Sequence, residues 1–175
     1  MVMAFQTIIT RNRKPIDPGV LSVTMIHAGE ATNVVPDFAE LRGTVRTFSI
    51  ETLDLIEQRM KQVAENLCAA FGATCEFSFT RNYPPTVNHP AETEFVRRVL
   101  SGVVGAENVV AFEPTMGAED FSFFLQAKPG CYFAIGNGDG SHREGGHGLG
   151  PCMLHNPSYD FNDELIPLGA TAWVR

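Results

Sequence analysis

Phe38-Ala39-Glu40-Leu41-Arg42-Gly43-Thr44-Val45-Arg46-Thr47-Phe48 alternates in chemistry from one residue to the next. Ala39, Leu41, Gly43 and Val45 fall on one side, and Glu40, Arg42, Thr44 and Arg46 on the other. A period of two belongs to an extended chain, so the stretch reads as a strand with one buried and one polar face. Upstream, Val20 to His27 repeats the pattern, with Leu21, Val23 and Met25 on the buried side and Ser22 and Thr24 opposite. In that phase His27 ends the strand on the apolar-facing side. Gly29 to Pro36 connects the two runs.

Downstream the period changes. Leu53, Ile56, Met60, Val63, Leu67 and Ala70 recur at steps of three and four, which is the stripe of an amphipathic helix. Ser49 suits its N-cap, Glu51 and Asp54 suit its positive end, and Gly72 stops it. Cys75, Phe77 and Phe79 then alternate with Glu76, Ser78 and Thr80 as a third strand. A further helical run spans Ala4 to Arg11, and Pro15 to Gly19 is a turn. The first part is therefore α+β: an open-faced antiparallel sheet with two helices on one side. Its polar face meets either solvent or a partner.

Tyr83-Pro84-Pro85 and Asn88-His89-Pro90 mark a boundary, dividing the chain into residues 1–87 and 88–175. The second part carries a helix with Phe95, Val96, Val99, Leu100 and Val103 on one side. A short strand is expected over Val109 to Phe112, a helix over Ala118 to Gln126, a fully apolar strand over Cys131 to Ile135 and a helix over Glu164 to Arg175. Pro167 is tolerated only near the first turn of that last helix. This is α/β in style but too thin for a self-standing sheet, so it reads as one segment of a larger catalytic domain.

The chain has 175 residues, a net charge of -7, 44% hydrophobic and 19% charged residues, as expected of a globular protein. No basic stripe is available for phosphates, so no nucleic-acid partner is expected, and an open sheet without aromatics on its polar face argues against an RNA binder. No apolar run reaches membrane-spanning length, and no membrane partner is expected. The four cysteines form no CxxC pair; Cys68, Cys75 and Cys131 sit in apolar segments as small hydrophobes, which suggests a reducing, cytoplasmic setting.

Candidate chemistry gathers at a few places. His155-Asn156-Pro157 follows the glycine-rich run from Gly136 to Gly150, with Asp160 and Asp163 close behind. His155 reads either as a metal ligand oriented by a carboxylate or as a histidine capping a turn. His142, His147 and His155 with Asp139 or Glu144 match no closed zinc spacing, and His142 and His147 read as decoration on a mobile loop. Gly136-Asn137-Gly138-Asp139-Gly140 lacks the Lys-Ser or Lys-Thr of a phosphate cradle. Met116-Gly117-Ala118-Glu119-Asp120-Phe121 puts two carboxylates at a helix start, for dipole compensation or for a ligand that approaches Gly117. Arg46, on the polar face of its strand, could accept a carboxylate as a bidentate fork or simply face water. Asn33 lies beside the same sheet.

Taken in order, these segments resemble one family. Ser22 to Gly29, Asn33 to Asp37 and Leu41 to Phe48 are similar to the inserted lid, or dimerisation, domain of the two-metal amidohydrolases that include hippurate hydrolase and N-acyl-amino-acid amidohydrolase. Met116 to Phe121 and Leu154 to Asp163 are similar to that family's closing catalytic segments, and Asp139 to Pro151 to bacterial hippurate hydrolases. The resemblance implies a ferredoxin-like lid and hydrolysis of the amide between an acyl group and an amino acid. Two divalent metals (Zn, Mn, Co or Ni) activate a water, and a glutamate relays its proton. It further implies that His155 is one metal ligand. Asn33 and Arg46 approach substrate, in the neighbouring subunit of a homodimer, and Gly117, Ala118 and Glu119 line the pocket. The family's Cys/His metal motif, its glutamate pair, a further ligand histidine and the first lid strand have no counterpart here. No catalytic residue is therefore assigned to this chain, which alone is expected neither to hold the metal pair stably nor to turn over N-acyl amino acids. A non-catalytic dimerisation module derived from the family is the competing expectation.

Overall fold

The computed structural model describes residues 1–143, 154–157 and 159–175. Two compact units divide it: Met1–Thr86 with Pro114–Phe123, and Val87–Glu113 with Phe124–Arg175.

In the first unit, helix α1 (Val2–Thr7) runs on as a π-helical turn (Ile8–Asn12). Strands β1 (Gly19–Ala28) and β2 (Ala39–Thr47) pair antiparallel, and helix α2 (Ile50–Ala70) follows. Ser49 takes an extended backbone, and its Oγ accepts from Thr52 N at 3.2 Å, satisfying one of the four amides a helix start leaves open. At the other end Gly72 turns left-handed, and the amides of Phe71 and Ala73 both donate to the Cys68 carbonyl. Phe5, Ile8, Leu21, Ile56 and Ala64 form the buried core, one contribution or more from each helical element and from β1, with Val23, Val45, Met60, Val63, Cys75 and Phe77 packed around it. The two helices thus cover one face of the sheet.

The register departs from simple alternation. Val23 pairs with Gly43 but Met25 pairs with Arg42, so Thr24 is a bulge. One extra residue moves every later side chain to the opposite face. Ile26 and Ala28, across from Leu41 and Ala39, take the apolar side; His27 stands across from Glu40 on the polar side, together with Met25, which is 45% exposed. The expectation that His27 faces the apolar side is corrected by this bulge.

Cys75, Phe77 and Phe79 do point inward, as their alternation requires, but residues 73–80 form no ladder among the described residues. Alternation reports which side of an extended chain is dry; a strand needs a second backbone to receive its amides, and the described residues offer none. Arg81 closes the segment onto α2, with Nε 2.8 Å from Glu57 Oε2 and Nη1 2.6 Å from Asp54 Oδ1.

The second unit holds α3 (Pro90–Val104), started by Pro90 and ended at Gly105 with φ of 87°. It also holds α5 (Leu165–Val174), with Pro167 in the first turn, where a missing amide costs nothing. Helix α4 (Phe121–Ala127) starts three residues later than its sequence pattern begins. Residues 109–112 and 131–135 are extended without ladder partners among the described residues, so neither is a strand. The second of these is held by side-chain mimicry of a neighbour: Asn88 Nδ2 donates to Tyr132 O and Tyr132 N donates to Asn88 Oδ1, both at 2.7 Å. The His89 amide reaches Gly130 O at 3.0 Å. Leu125 is the only described hydrophobic residue of this unit that is fully buried, while Val110, Phe112, Ile166 and Trp173 are all more than two-thirds exposed. No described helix is long and apolar enough to cross a membrane.

Candidate functional site

Arg46 stands near the outer end of β2, opposite Val20, exposed, and without a carboxylate partner among the described residues. The nearer cation, Arg42, is different: it is paired with Glu40 at 2.9 Å. Asn33 lies in the connection after the far end of β1, where the last pair is Ala28 with Ala39. The ladder therefore separates Arg46 and Asn33 to opposite ends of the sheet rather than bringing them together. Gly117, Ala118 and Glu119 belong to the same unit, exposed in the extended stretch before α4. The Glu119 carbonyl accepts from Ser122 N at 3.2 Å and Ser122 Oγ at 2.6 Å, and Ser122 is fully buried. Glu119 itself is exposed and precedes the helix, which starts at Phe121.

His155 belongs to the second unit. It is exposed, in a turn, and its φ of 72° is the one left-handed backbone among described non-glycine residues. Such a conformation costs about 1–3 kcal/mol and is concentrated at functional positions. Tyr159 N donates to Asn156 O at 2.9 Å, closing the Asn156-Pro157 turn behind it.

The segment after that turn is held by Asn137 and His142, side chains of the glycine-rich loop. Asn137 Nδ2 donates to Asp160 O at 2.8 Å, and Asn162 N donates to Asn137 Oδ1 at 2.9 Å. His142 Nε2 lies 3.0 Å from the same Asp160 carbonyl, which requires the proton on Nε2. Asn162 Oδ1 in turn accepts from Glu164 N at 3.1 Å, at the start of α5. His142 is therefore a structural donor and not loop decoration. The signal available in sequence was the asparagine between Gly136 and Gly138, with Gly138 left-handed at φ of 82° so that the loop can double back. Asp139 caps the same loop: the Ser141 amide, and then its hydroxyl, hold that carboxyl below the usual carboxylate range.

Among the described residues no three His, Cys, Asp or Glu side chains gather as a metal site. The described donors by themselves do not fit a metal pair. His147, Glu144 and Cys152 lie outside the described residues. The open groove between α2 and residues 77–81, lined by Asp54, Glu57, Lys61, Phe77, Phe79 and Arg81, holds none of the candidate residues.

The chain belongs to the metallopeptidase class defined by Peptidase family M20/M25/M40, whose model matches residues 5–175. Among individual proteins it is 37% identical over 172 residues to thermostable carboxypeptidase 1 of Saccharolobus solfataricus, covering 97% of this chain and 41% of that protein. It is 33% identical to IAA-amino acid hydrolase ILR1-like 4 of Arabidopsis thaliana, covering 98% of this chain and 38% of that protein. The crystal structure of the Bacillus subtilis YxeP protein, described as a dinuclear metal binding peptidase of the M20 family, superposes with a TM-score of 0.71 at 27% identity. The match covers 98% of this chain and 43% of that one. The chain thus spans about two fifths of the length of these relatives.

Proposed function

We propose that this chain forms the C-terminal part of a metal-dependent amidohydrolase that cleaves hippurate-like N-acyl amino acids to a carboxylic acid and an amino acid. In this reading residues 1–87 are a ferredoxin-like lid lacking its first strand, and residues 88–175 are the end of the catalytic domain. The observation that carries the substrate class is Arg46: an exposed guanidinium with no carboxylate of its own among the described residues is matched to the carboxylate that every N-acyl amino acid presents. His155, on its left-handed backbone, would contribute one metal ligand, and Asn33, Gly117, Ala118 and Glu119 would meet substrate. The remaining ligands and the proton-accepting glutamate would come from elsewhere in the complete protein. The relatives named as amino-acid hydrolases and carboxypeptidases support this reading.

The purified chain is expected to release no benzoate from hippurate in the presence of Mn, Zn, Co or Ni. Joined to the N-terminal portion of a family amidohydrolase it is expected to gain activity, and Arg46→Ala is then expected to lower kcat/KM by about a hundredfold, chiefly through KM, as loss of a charge-assisted fork requires. Hydrolysis by the isolated chain would refute its incompleteness. An Arg46→Ala variant of the joined protein with unchanged KM would refute the assigned carboxylate contact.

The competing reading, a dimerisation module, is favoured by one observation. Ile26, Val34, Val35 and Phe38 cluster at the end of β1 and in the following connection, and Val35 is 91% exposed. Apolar side chains gathered in one short stretch suit a partner surface. This reading places a homodimer on the lid. Sedimentation velocity is expected to show a dimer that Val35→Asp with Phe38→Asp converts to monomer; a monomeric parent chain would dispose of it.

A further inference from the structure

Two thiols stand close together at the end of α2. Cys68 lies one helical turn beyond the buried Ala64 on the same stripe, and is half-buried. The chain then reverses through Gly72, with Ala73 N hydrogen-bonded to Cys68 O at 2.9 Å. That bond fixes the return path two residues before Cys75, whose inward face packs against the same core. Cys75 is also half-buried, and its thiol is turned toward the Cys68 thiol. Burial, and next the neighbouring Cys68, hold the Cys75 thiol above the ordinary thiol range. It is thus slow to attack an oxidant and suited to act second. Segment 73–80 has no ladder on either edge among the described residues, so a covalent tie to α2 would anchor its start as Arg81 anchors its end.

From this placement we infer that Cys68 and Cys75 form a redox-modification site, a dithiol that closes to an intramolecular disulfide on reaction with a low-molecular-weight disulfide such as oxidised glutathione. The Cys68 thiolate attacks one sulfur of the oxidant; that S–S bond breaks and one reduced thiol leaves. Cys75 loses its proton and attacks the Cys68 sulfur of the mixed disulfide, releasing the second reduced thiol. Two electrons pass from the protein to the oxidant, which becomes two thiols. The hairpin turn at Gly72 keeps the second thiol at high effective concentration, so the mixed disulfide does not accumulate.

The test needs only the intact chain. Incubation with oxidised glutathione is expected to lower the free thiols from four to two, reversibly with dithiothreitol. Both cysteines fall in one tryptic peptide, residues 62–81, bounded by Lys61 and Arg81. That peptide should become lighter by two hydrogens, and cleavage after Phe71 should leave its halves linked. In Cys75→Ser the reaction should stop with glutathione retained on Cys68. A persistent glutathione adduct on the unmodified chain, or a bridge mapping to Cys131 or Cys152, would overturn the proposal. Because the decision is read on the parent protein, a poorly folding variant cannot blur it.

Discussion

Ile56→Ala is expected to cost the first unit about 3–4 kcal/mol, within the range for emptying a fully buried aliphatic site. Ile56 is 0% exposed and sits where α2 meets α1, the π-helical turn and β1, among Phe5, Ile8, Leu21 and Ala64. Its δ-methyl lies against Gly19, the first residue of β1, at a distance where even a methyl on that glycine would just touch. The neighbours on two sides are backbone and helix, so the void left by alanine cannot collapse easily, and the cavity adds to the lost transfer energy. A domain of this size has only about 5–15 kcal/mol to lose. The loss should appear as a lower urea midpoint by far-ultraviolet circular dichroism and as faster amide exchange across Ile50–Ala70. Trp173 belongs to the other unit, and its emission is the wrong probe. Ile56→Val should cost only about 1 kcal/mol. An alanine variant within about 1 kcal/mol of the parent would mean that the packing around Ile56 is not the centre of this unit.

Gly43→Val is expected to cost about 2–3 kcal/mol, or to reset the strand register. A Cβ at Gly43 would run into the Ser22 carbonyl oxygen and lie 3.1 Å from Val23 Cα, and both obstacles are main chain. A flexible side chain could swing away, but a paired strand cannot. The substitution falls on the Val23–Gly43 pair, directly before the Thr24 bulge. Two outcomes relieve the clash: the pair opens, or the bulge moves. If it moves out of β1, Met25 to Ala28 exchange faces and His27 returns to the apolar side. Nuclear Overhauser contacts between Ile26 and Leu41 and between His27 and Glu40 distinguish the two outcomes. A valine variant that keeps both contacts and its parent stability would show that Gly43 does not dictate the close approach of the strands.

Much of this was legible in local patterns. The period of two over Phe38 to Phe48 and the stripe from Leu53 to Ala70 each carry their own geometry, and both elements stand where the patterns put them. The Ser49 cap and the Gly72 stop are equally local, since each satisfies amides or carbonyls within a turn of itself. The ordered set of segments from Ser22 to Asp163 was enough for the family, which the match over residues 5–175 shows. What escaped was relational. Alternation in Val20 to His27 is broken by one unpaired residue, and nothing in a lone strand announces where its partner skips. Residues 75–79 and 131–135 have the composition of strands, yet no described backbone meets them.

The candidate site divides along the same line. Residue chemistry alone singled out Arg46 and His155, because an exposed cation on a polar face and a histidine before a proline turn are visible one at a time. That Arg46 and Asn33 stand at opposite ends of the ladder, that His155 rests on left-handed backbone, and that Asn137 and His142 hold the segment behind it needed the folded chain. Periodicity and capping arise from forces between residues a few positions apart, so the amino-acid order carries them unaided. Register and ladder pairing join groups eleven or more positions apart and the clamp on Asp160 groups eighteen or more apart, and only the closing of the chain in three dimensions selects those partners.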